Sequence, residues 1–304
     1  MPLLSFSSPL EPLLNDIFPN IQLWMKRDDL LHPSVSGNKF RKLKYNLIQA
    51  SKNRPILISM GGAWSNHLHA LAHAAQLLGL SSVGLVRGLH AEHSALNATL
   101  SDCQSAGMQL QFVSREDYRK LRDQPDIWKN WVTQDPKEYL WLPEGGSNAL
   151  ALTGMAELVD ELKQDLGRTP DTIVLACGTG ASLAGILAGL RGQGRVIGIA
   201  AVSNAGYLRQ QVQQLLLDAG QPAYQNFEIL LDFAQGGFAK ASPALLQFCE
   251  QFFQQTKIPV EPVYTGKMLF ALAELCRSGK FVKGERVVAI HTGGLQGLRG
   301  YLTK

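Results

Sequence analysis

The chain has 304 residues, enough for one large or two modest domains, and its 45% hydrophobic and 18% charged residues are ordinary for a folded protein. No apolar run approaches the length of a membrane span, and the net charge of +4 is spread out without an aromatic-interleaved basic patch, which argues against membrane and nucleic-acid partners. Cys103, Cys177, Cys249 and Cys276 lie far apart with no C-x-x-C, which predicts reduced thiols, and no basic residue precedes Lys26 as a secretory leader would require, so a cytoplasmic protein is expected.

A strand is predicted at 21–25, running into four consecutive charges, Lys26-Arg27-Asp28-Asp29, which by themselves read as a solvated turn. Pro33, Ser34 and Ser36 then mark a loop, and Phe40, Leu43 and Leu47 at i, i+3 and i+7 predict an amphipathic helix starting near Asn38. Lys39 falls in its first turn. The partial positive charge there lowers the pKa of an ammonium and favours a neutral, nucleophilic amine. As one of four basic residues with Arg41, Lys42 and Lys44, Lys39 also fits a solvated helix face.

From Pro55 onward short apolar runs alternate with helical patterns. Strands are predicted at 56–58, 82–86, 110–113 and 139–142, with helices at about 66–78 and 91–106. The polar stretch 114–137, with Trp128 and Trp131, reads as a short helical excursion or lid. A second series follows, with strands at 172–176, 196–202, 228–231 and 286–290 and helices at about 149–166, 181–190, 206–217, 242–255 and 266–278. The alternation implies βαβ units, hence an α/β protein of two open, twisted, mostly parallel sheets flanked by helices. Glu144-Gly145-Gly146-Ser147-Asn148 is the candidate crossing between domains.

Four turns are rich in glycine and small polar residues, and in open α/β sheets ligands bind at such strand ends. Gly61-Gly62-Ala63-Trp64-Ser65-Asn66-His67 suits an anion such as a substrate carboxylate, although Ser65 or Asn66 could simply cap the helix. His69 and His73 share a helix face with no H-E-x-x-H pattern, so no metal site is assigned. Cys177-Gly178-Thr179-Gly180-Ala181-Ser182 opens a helix and suits a phosphate. It is neither a dinucleotide fingerprint, since Leu183 stands where glycine is needed, nor a P-loop. The others are Pro262-Val263-Tyr264-Thr265-Gly266-Lys267, where Tyr264 could face a flat ring and Thr265 a ring nitrogen, and His291-Thr292-Gly293-Gly294. A nucleophilic lysine, a phosphate cup, an aromatic plate and a carboxylate cup together suggest pyridoxal phosphate acting on an amino acid.

Lys26-Arg27-Asp28-Asp29, Ser36-Gly37-Asn38-Lys39-Phe40-Arg41-Lys42-Leu43, Ser65-Asn66-His67, Gly145-Gly146-Ser147-Asn148-Ala149-Leu150, Pro262 to Lys267 and His291 to Gly294 occur in order along nearly the whole chain. This combination resembles the 1-aminocyclopropane-1-carboxylate deaminase and D-cysteine desulfhydrase family, whose fold is the tryptophan-synthase β type of pyridoxal phosphate enzymes. The resemblance implies that Lys39 holds the cofactor covalently and that Asn66 bonds the ring's phenolic oxygen. By the same resemblance the Cys177, Gly178, Thr179, Gly180, Ala181 and Ser182 turn holds the phosphate, while Tyr264, Thr265 and Thr292 complete the cofactor site. Ser65, Asn66, His67 and Phe238 would meet the substrate, with Ser65 and Tyr264 joining Lys39 in catalysis. A large cofactor domain (1–50 plus 151–304), a small substrate-side domain (51–150) and a homodimer are expected.

Two positions depart from the cyclopropane deaminases. Thr265 stands where those enzymes have a glutamate bonding the pyridine nitrogen, as it does in the D-cysteine enzymes; a neutral hydroxyl makes a weaker electron sink and suits an easy leaving group such as a thiol. Phe238, within Asp232 to Ala239, stands where the family usually carries the tyrosine of Pro-Gly-Tyr-Gly. The expectation is β-elimination from a small amino acid, with D-cysteine as best guess. Ring opening of 1-aminocyclopropane-1-carboxylate and a non-catalytic pyridoxal-phosphate-binding protein are alternatives. A nucleotide-binding α/β protein would need an acidic ribose ligand or a P-loop lysine that the sequence lacks.

Overall fold

The computed structural model describes residues 7–14, 16–89, 95–124 and 126–302. Its larger sheet contains β1 (Leu10–Pro12), β2 (Ile21–Lys26), β7 (Thr172–Cys177), β8 (Arg195–Ala200), β9 (Phe227–Leu230) and β10 (Glu285–Ile290), in the order β1-β2-β10-β7-β8-β9. Every pairing in it is parallel except β1 with β2. The smaller sheet is β5-β4-β3-β6, all parallel, from β3 (Ile56–Gly61), β4 (Ser82–Arg87), β5 (Met108–Val113) and β6 (Tyr139–Leu142). Parallel neighbours need crossovers, and helices supply them.

In the smaller sheet these are α2 (Asn66–Leu78), α3 (Ala98–Ser105) and α4 (Arg115–Asp123); α1 (Asn38–Asn53) precedes it. Around the larger one lie α5 (Ala149–Leu166), α6 (Ala181–Leu190), α7 (Leu208–Asp218), α8 (Pro243–Thr256), α9 (Thr265–Arg277) and the short α10 (Arg299–Leu302). Strands buried on both faces read as continuous apolar runs, and β7, Thr172-Ile173-Val174-Leu175-Ala176-Cys177, is buried at every position. Leu152, Met155, Leu183 and Leu187 cover one face of the larger sheet, and Phe252, Met268 and Leu272 the other.

The predicted alternation of strands and helices is present throughout. The helix expected at 91–106 runs only from Ala98 to Ser105: residues 95–97 are not helical, and Asn97 caps it by accepting Leu100 N–H at 3.0 Å, while 91–94 lie outside the described residues. The excursion after β5 is helical, and Trp128 stacks on Trp141 at 5.8 Å and 3°, closing the outer face of the smaller sheet. The edge strand β1 has no sequence signal, because three residues show no period.

The run Lys26-Arg27-Asp28-Asp29 is not a solvated turn. All four side chains are buried, and each finds ionic partners. Lys26 Nζ meets Glu161 at 2.9 Å and Asp165 at 3.1 Å. Arg27 forks onto Asp29 at 2.9 and 2.7 Å, and Asp28 accepts Arg41 Nε at 2.7 Å and Nη2 at 2.8 Å. Arg41 also reaches Glu161 at 2.7 and 2.9 Å. Buried charges survive only when paired and hydrogen-bonded. Here the pairing locks the start of α1 to β2 and α5, and Lys39 sits on that start.

Candidate active site

The turns singled out in the sequence meet around one cavity of about 510 Å³. Lys39, Ser65, Asn66, His67, Cys177, Gly178, Thr179, Gly180, Ser182, Phe238, Tyr264 and Thr292 all line it. Ala181 and Thr265 are the first residues of α6 and α9, fully buried behind the wall.

Gly37 sets the position of Lys39. Its φ of 66° lies in the left-handed region, and a Cβ there would collide with the Thr292 carbonyl. Asn38 N–H donates to that same carbonyl at 3.2 Å, so α1 begins pinned against the end of β10. Lys39 Nζ donates to Asn38 Oδ1 at 2.8 Å, and Asn38 Nδ2 to Ser182 Oγ at 2.8 Å. The Lys39 pKa is lowered to about 8 by burial, with the Glu261 carboxylate opposing. The direction is the one expected from the helix terminus, but desolvation causes it.

At the turn after β7, Gly180 caps α6 with no side-chain bond, leaving the first-turn amides free for an anion. A Cβ on Gly178 would stand 3.3 Å from Tyr264 Cε1, so this turn and the Tyr264 ring are adjacent. Thr179 Oγ1 is 2.7 Å from Ser147 Oγ, which links the turn to the 144–148 segment. Lys42, one turn beyond Lys39, is buried with Nζ 3.4 Å from Ser147 Oγ. Burial and the Lys39 charge push its pKa well down. An ammonium so placed calls for a nearby anion. Lys42, Asn38 and Ser147 were not among the predicted site residues; the i, i+3 spacing of Lys39 and Lys42 was the available signal.

After β3, Ser65 Oγ accepts Leu68 N–H at 3.2 Å, so it does cap α2 while also lining the cavity. Asn66 Oδ1 accepts from Gln296 Nε2. His67 is buried, with Nε2 2.8 Å from Ser59 Oγ and Nδ1 without a hydrogen-bond partner among the described residues. Burial and Lys42 and Lys39 hold it neutral. His69 is engaged by Asp102 at 3.2 Å, and His73 Nδ1 lies 2.8 Å from the His69 carbonyl.

Glu261 organises the aromatic side. Its buried carboxylate accepts the backbone N–H groups of Val263, Tyr264 and Thr265 at 2.6 to 3.1 Å. Phe238, 43% exposed, meets Tyr264 edge-on at 6.0 Å. Thr265 Oγ1 is buried with no hydrogen bond of good geometry, although its nearness helps stabilise ionised Glu261. A buried hydroxyl beside an aromatic ring, a lysine with a depressed pKa and a helix N-terminus with free amides suit pyridoxal phosphate. The donor set fits that group.

A family model for pyridoxal-phosphate dependent enzymes matches residues 6–293. The chain belongs to that family. Its relatives include the bifunctional D-cysteine desulfhydrase/1-aminocyclopropane-1-carboxylate deaminase of Arabidopsis thaliana, 31% identical over 91% of this chain and 73% of that one. The 1-aminocyclopropane-1-carboxylate deaminase of Rhizobium radiobacter is 29% identical over 93% and 89%. Among solved structures, an ACC deaminase homologue superposes with a TM-score of 0.82 at 27% identity, over 99% of this chain and 93% of that one. The L-serine ammonia-lyase of Rhizomucor miehei, at 19% identity and a TM-score of 0.64, shares the fold. This pyridoxal-phosphate enzyme therefore lies in the deaminase and desulfhydrase branch, and the nucleotide-binding reading falls away. No helix among the described residues is long and apolar enough to cross a membrane.

Proposed function

We propose that this enzyme eliminates the β-substituent of a small amino acid, and that D-cysteine, giving pyruvate, sulfide and ammonia, is its best substrate among those that its relatives' names suggest. The observation that carries the choice is Thr265, a neutral hydroxyl buried without a good partner where α9 begins beside Tyr264. When bound, pyridoxal phosphate supplies the electron sink that lets negative charge develop on the substrate α-carbon.

Each residue then has a defined task. Lys39 holds the cofactor, and its amine, once displaced, takes the α-proton at Nζ; burial keeps that nitrogen able to accept it near neutral pH. The Gly178 to Ser182 turn with Cys177 and Ala181, the α6 amides and Lys42 receive the phosphate, Asn66 and Thr292 border the ring, and Tyr264 stacks on it. Ser65, Asn66 and neutral His67 take the substrate carboxylate at the start of α2. Phe238 covers the substrate side and excludes water without offering a proton.

Ring opening of 1-aminocyclopropane-1-carboxylate is the second reading, supported by the names of the relatives and opposed by Thr265 and Phe238. Keto acid and sulfide release from D-cysteine, run beside the cyclopropane substrate, tests the choice. Sulfide with pyruvate supports elimination; keto acid from the cyclopropane alone overturns it. We further propose domains 1–50 plus 151–304 and 51–150, since each range holds all the strands of one sheet. We also propose a cytoplasmic location and, by family resemblance, a homodimer, which sedimentation would check.

A further inference from the structure

The cavity is lined by three guanidinium groups, Arg87, Arg115 and Arg122, to which neither the cofactor nor the substrate α-carboxylate has given a role. Lys39, Lys42, Arg87, Arg115 and Arg122 line it, against a single carboxylate, Glu144. The two lysines lie on α1 beside the cofactor turns. Arg122 is held by Asp123 at 2.7 and 3.2 Å, and Glu144 accepts the Tyr118 hydroxyl at 2.5 Å. Arg87 and Arg115 have no carboxylate partner among the described residues.

These groups form one rim. Arg115, Tyr118 and Arg122 recur at i, i+3 and i+7 on α4 and so share the helix face that meets the cavity. Arg87 ends β4 with its guanidinium 5.5 Å over the Tyr118 ring, a contact that steadies the cation without neutralising it. Arg87 Nη2 also lies 3.6 Å from where a Cβ on Gly62 would stand, beside the turn assigned to the substrate α-carboxylate. A second anion on the substrate would therefore meet guanidinium groups just beyond the first, and guanidinium forks match oxyanions.

We propose that Arg87 and Arg115 form a subsite for an oxyanion carried on the substrate β-carbon, so that the preferred substrates are α-amino acids with a phosphate- or sulfate-type leaving group. This rests on the β-elimination reading and deepens it by naming the substituent. With O-phosphoserine the Cα–H bond breaks with its proton passing to Lys39 Nζ, and the Cβ–O bond breaks with its electron pair leaving on phosphate. A carbon–carbon double bond forms, and addition of one water to the released enamine, as its imine tautomer, yields pyruvate and ammonia. No oxidant or reductant is needed.

The probe is 2-amino-3-phosphonopropionate, whose C–P bond keeps the oxyanion attached, compared with neutral 2-aminobutyrate. Both enantiomers of each are titrated by calorimetry into the cofactor-loaded enzyme. The expected result is at least tenfold tighter binding of the phosphonate at low salt, an advantage that shrinks as salt screens the exposed guanidinium groups. In the Arg87→Ala/Arg115→Ala protein, checked for its bound-cofactor absorbance, the affinity ratio should fall at least tenfold, with partial recovery in Arg87→Lys/Arg115→Lys. Equal binding of the two probes, or an affinity ratio unchanged by the double substitution, overturns the subsite. Failure of O-phosphoserine, D-cysteine and the cyclopropane alike to give keto acid overturns the elimination reading instead, and the affinity ratio still judges the rim.

Discussion

Asp28→Asn should unlock α1 from the larger sheet. The carboxylate accepts Arg41 Nε at 2.7 Å, Arg41 Nη2 at 2.8 Å and Ser8 Oγ at 2.6 Å, and none of its side chain is exposed. Asparagine keeps the volume but turns an NH₂ group toward a guanidinium, replacing one acceptor by a donor and leaving Arg41 paired with Glu161 alone. Because Glu161 still neutralises Arg41, the cost is that of losing a buried charge-assisted hydrogen bond, about 1.5–3 kcal/mol. With unfolding entropy scaling with chain length, each kcal/mol lowers the midpoint of a chain this long by about 1.5 °C, so a fall of about 2–5 °C is expected by scanning calorimetry. Arg41 is two residues from Lys39 on the same helix, so the variant should also bind pyridoxal phosphate more weakly in an absorbance titration. A midpoint within about 1 °C of the parent, with cofactor affinity unchanged, would refute the claim that this network positions the lysine.

Lys39→Ala should remove the visible band of the cofactor-loaded protein, and an unchanged spectrum would sink the assignment of that residue. In the cofactor-free protein, burial lowers the Lys39 pKa to about 8, so its modification by an acylating reagent, followed by peptide mapping, should rise through about pH 8 and not only above pH 10. Burial raises the Glu261 pKa to about 7. The folded state thus binds the proton more tightly than the unfolded chain, and this group's contribution to stability is lost as pH rises from the ordinary carboxylate range through about 7. Glu261→Gln should abolish that slope in denaturant titrations, while an unaltered slope would place the titration elsewhere. Thr265→Glu, which puts a carboxylate at the pyridine nitrogen, should shift the ratio of cyclopropane opening to D-cysteine breakdown toward the cyclopropane; a fixed ratio would show that this position does not set specificity.

Much of the site was legible because it is local. Glycine turns at strand ends, the capping serine of α2, a lysine in a first helical turn and the Tyr264-Thr265 pair are written in contiguous residues, and the βα alternation says that such turns gather at one sheet edge. What contiguity does not carry is which distant side chains meet. Asp28 looks like part of a solvated turn until Arg41 closes on it, itself held by Glu161, 120 residues further along. The depressed pKa of Lys39 has a similar history, since its direction follows from the helix terminus while its cause, burial, exists only in the assembled cavity.

By itself the sequence determined the α/β class and most of the order of strands and helices through short-range periodicity, and the family through the resemblance of its motifs. Only the tertiary structure decided that residues 26–29 are a buried ionic anchor, that Lys42, Asn38 and Ser147 gather beside the 177–182 turn, and that Arg87 and Arg115 line the same cavity. The physical reason is desolvation. Whether a charge is an ornament of the surface or a working part of a site depends on what displaces its water, and that is settled by residues brought together from opposite ends of the chain.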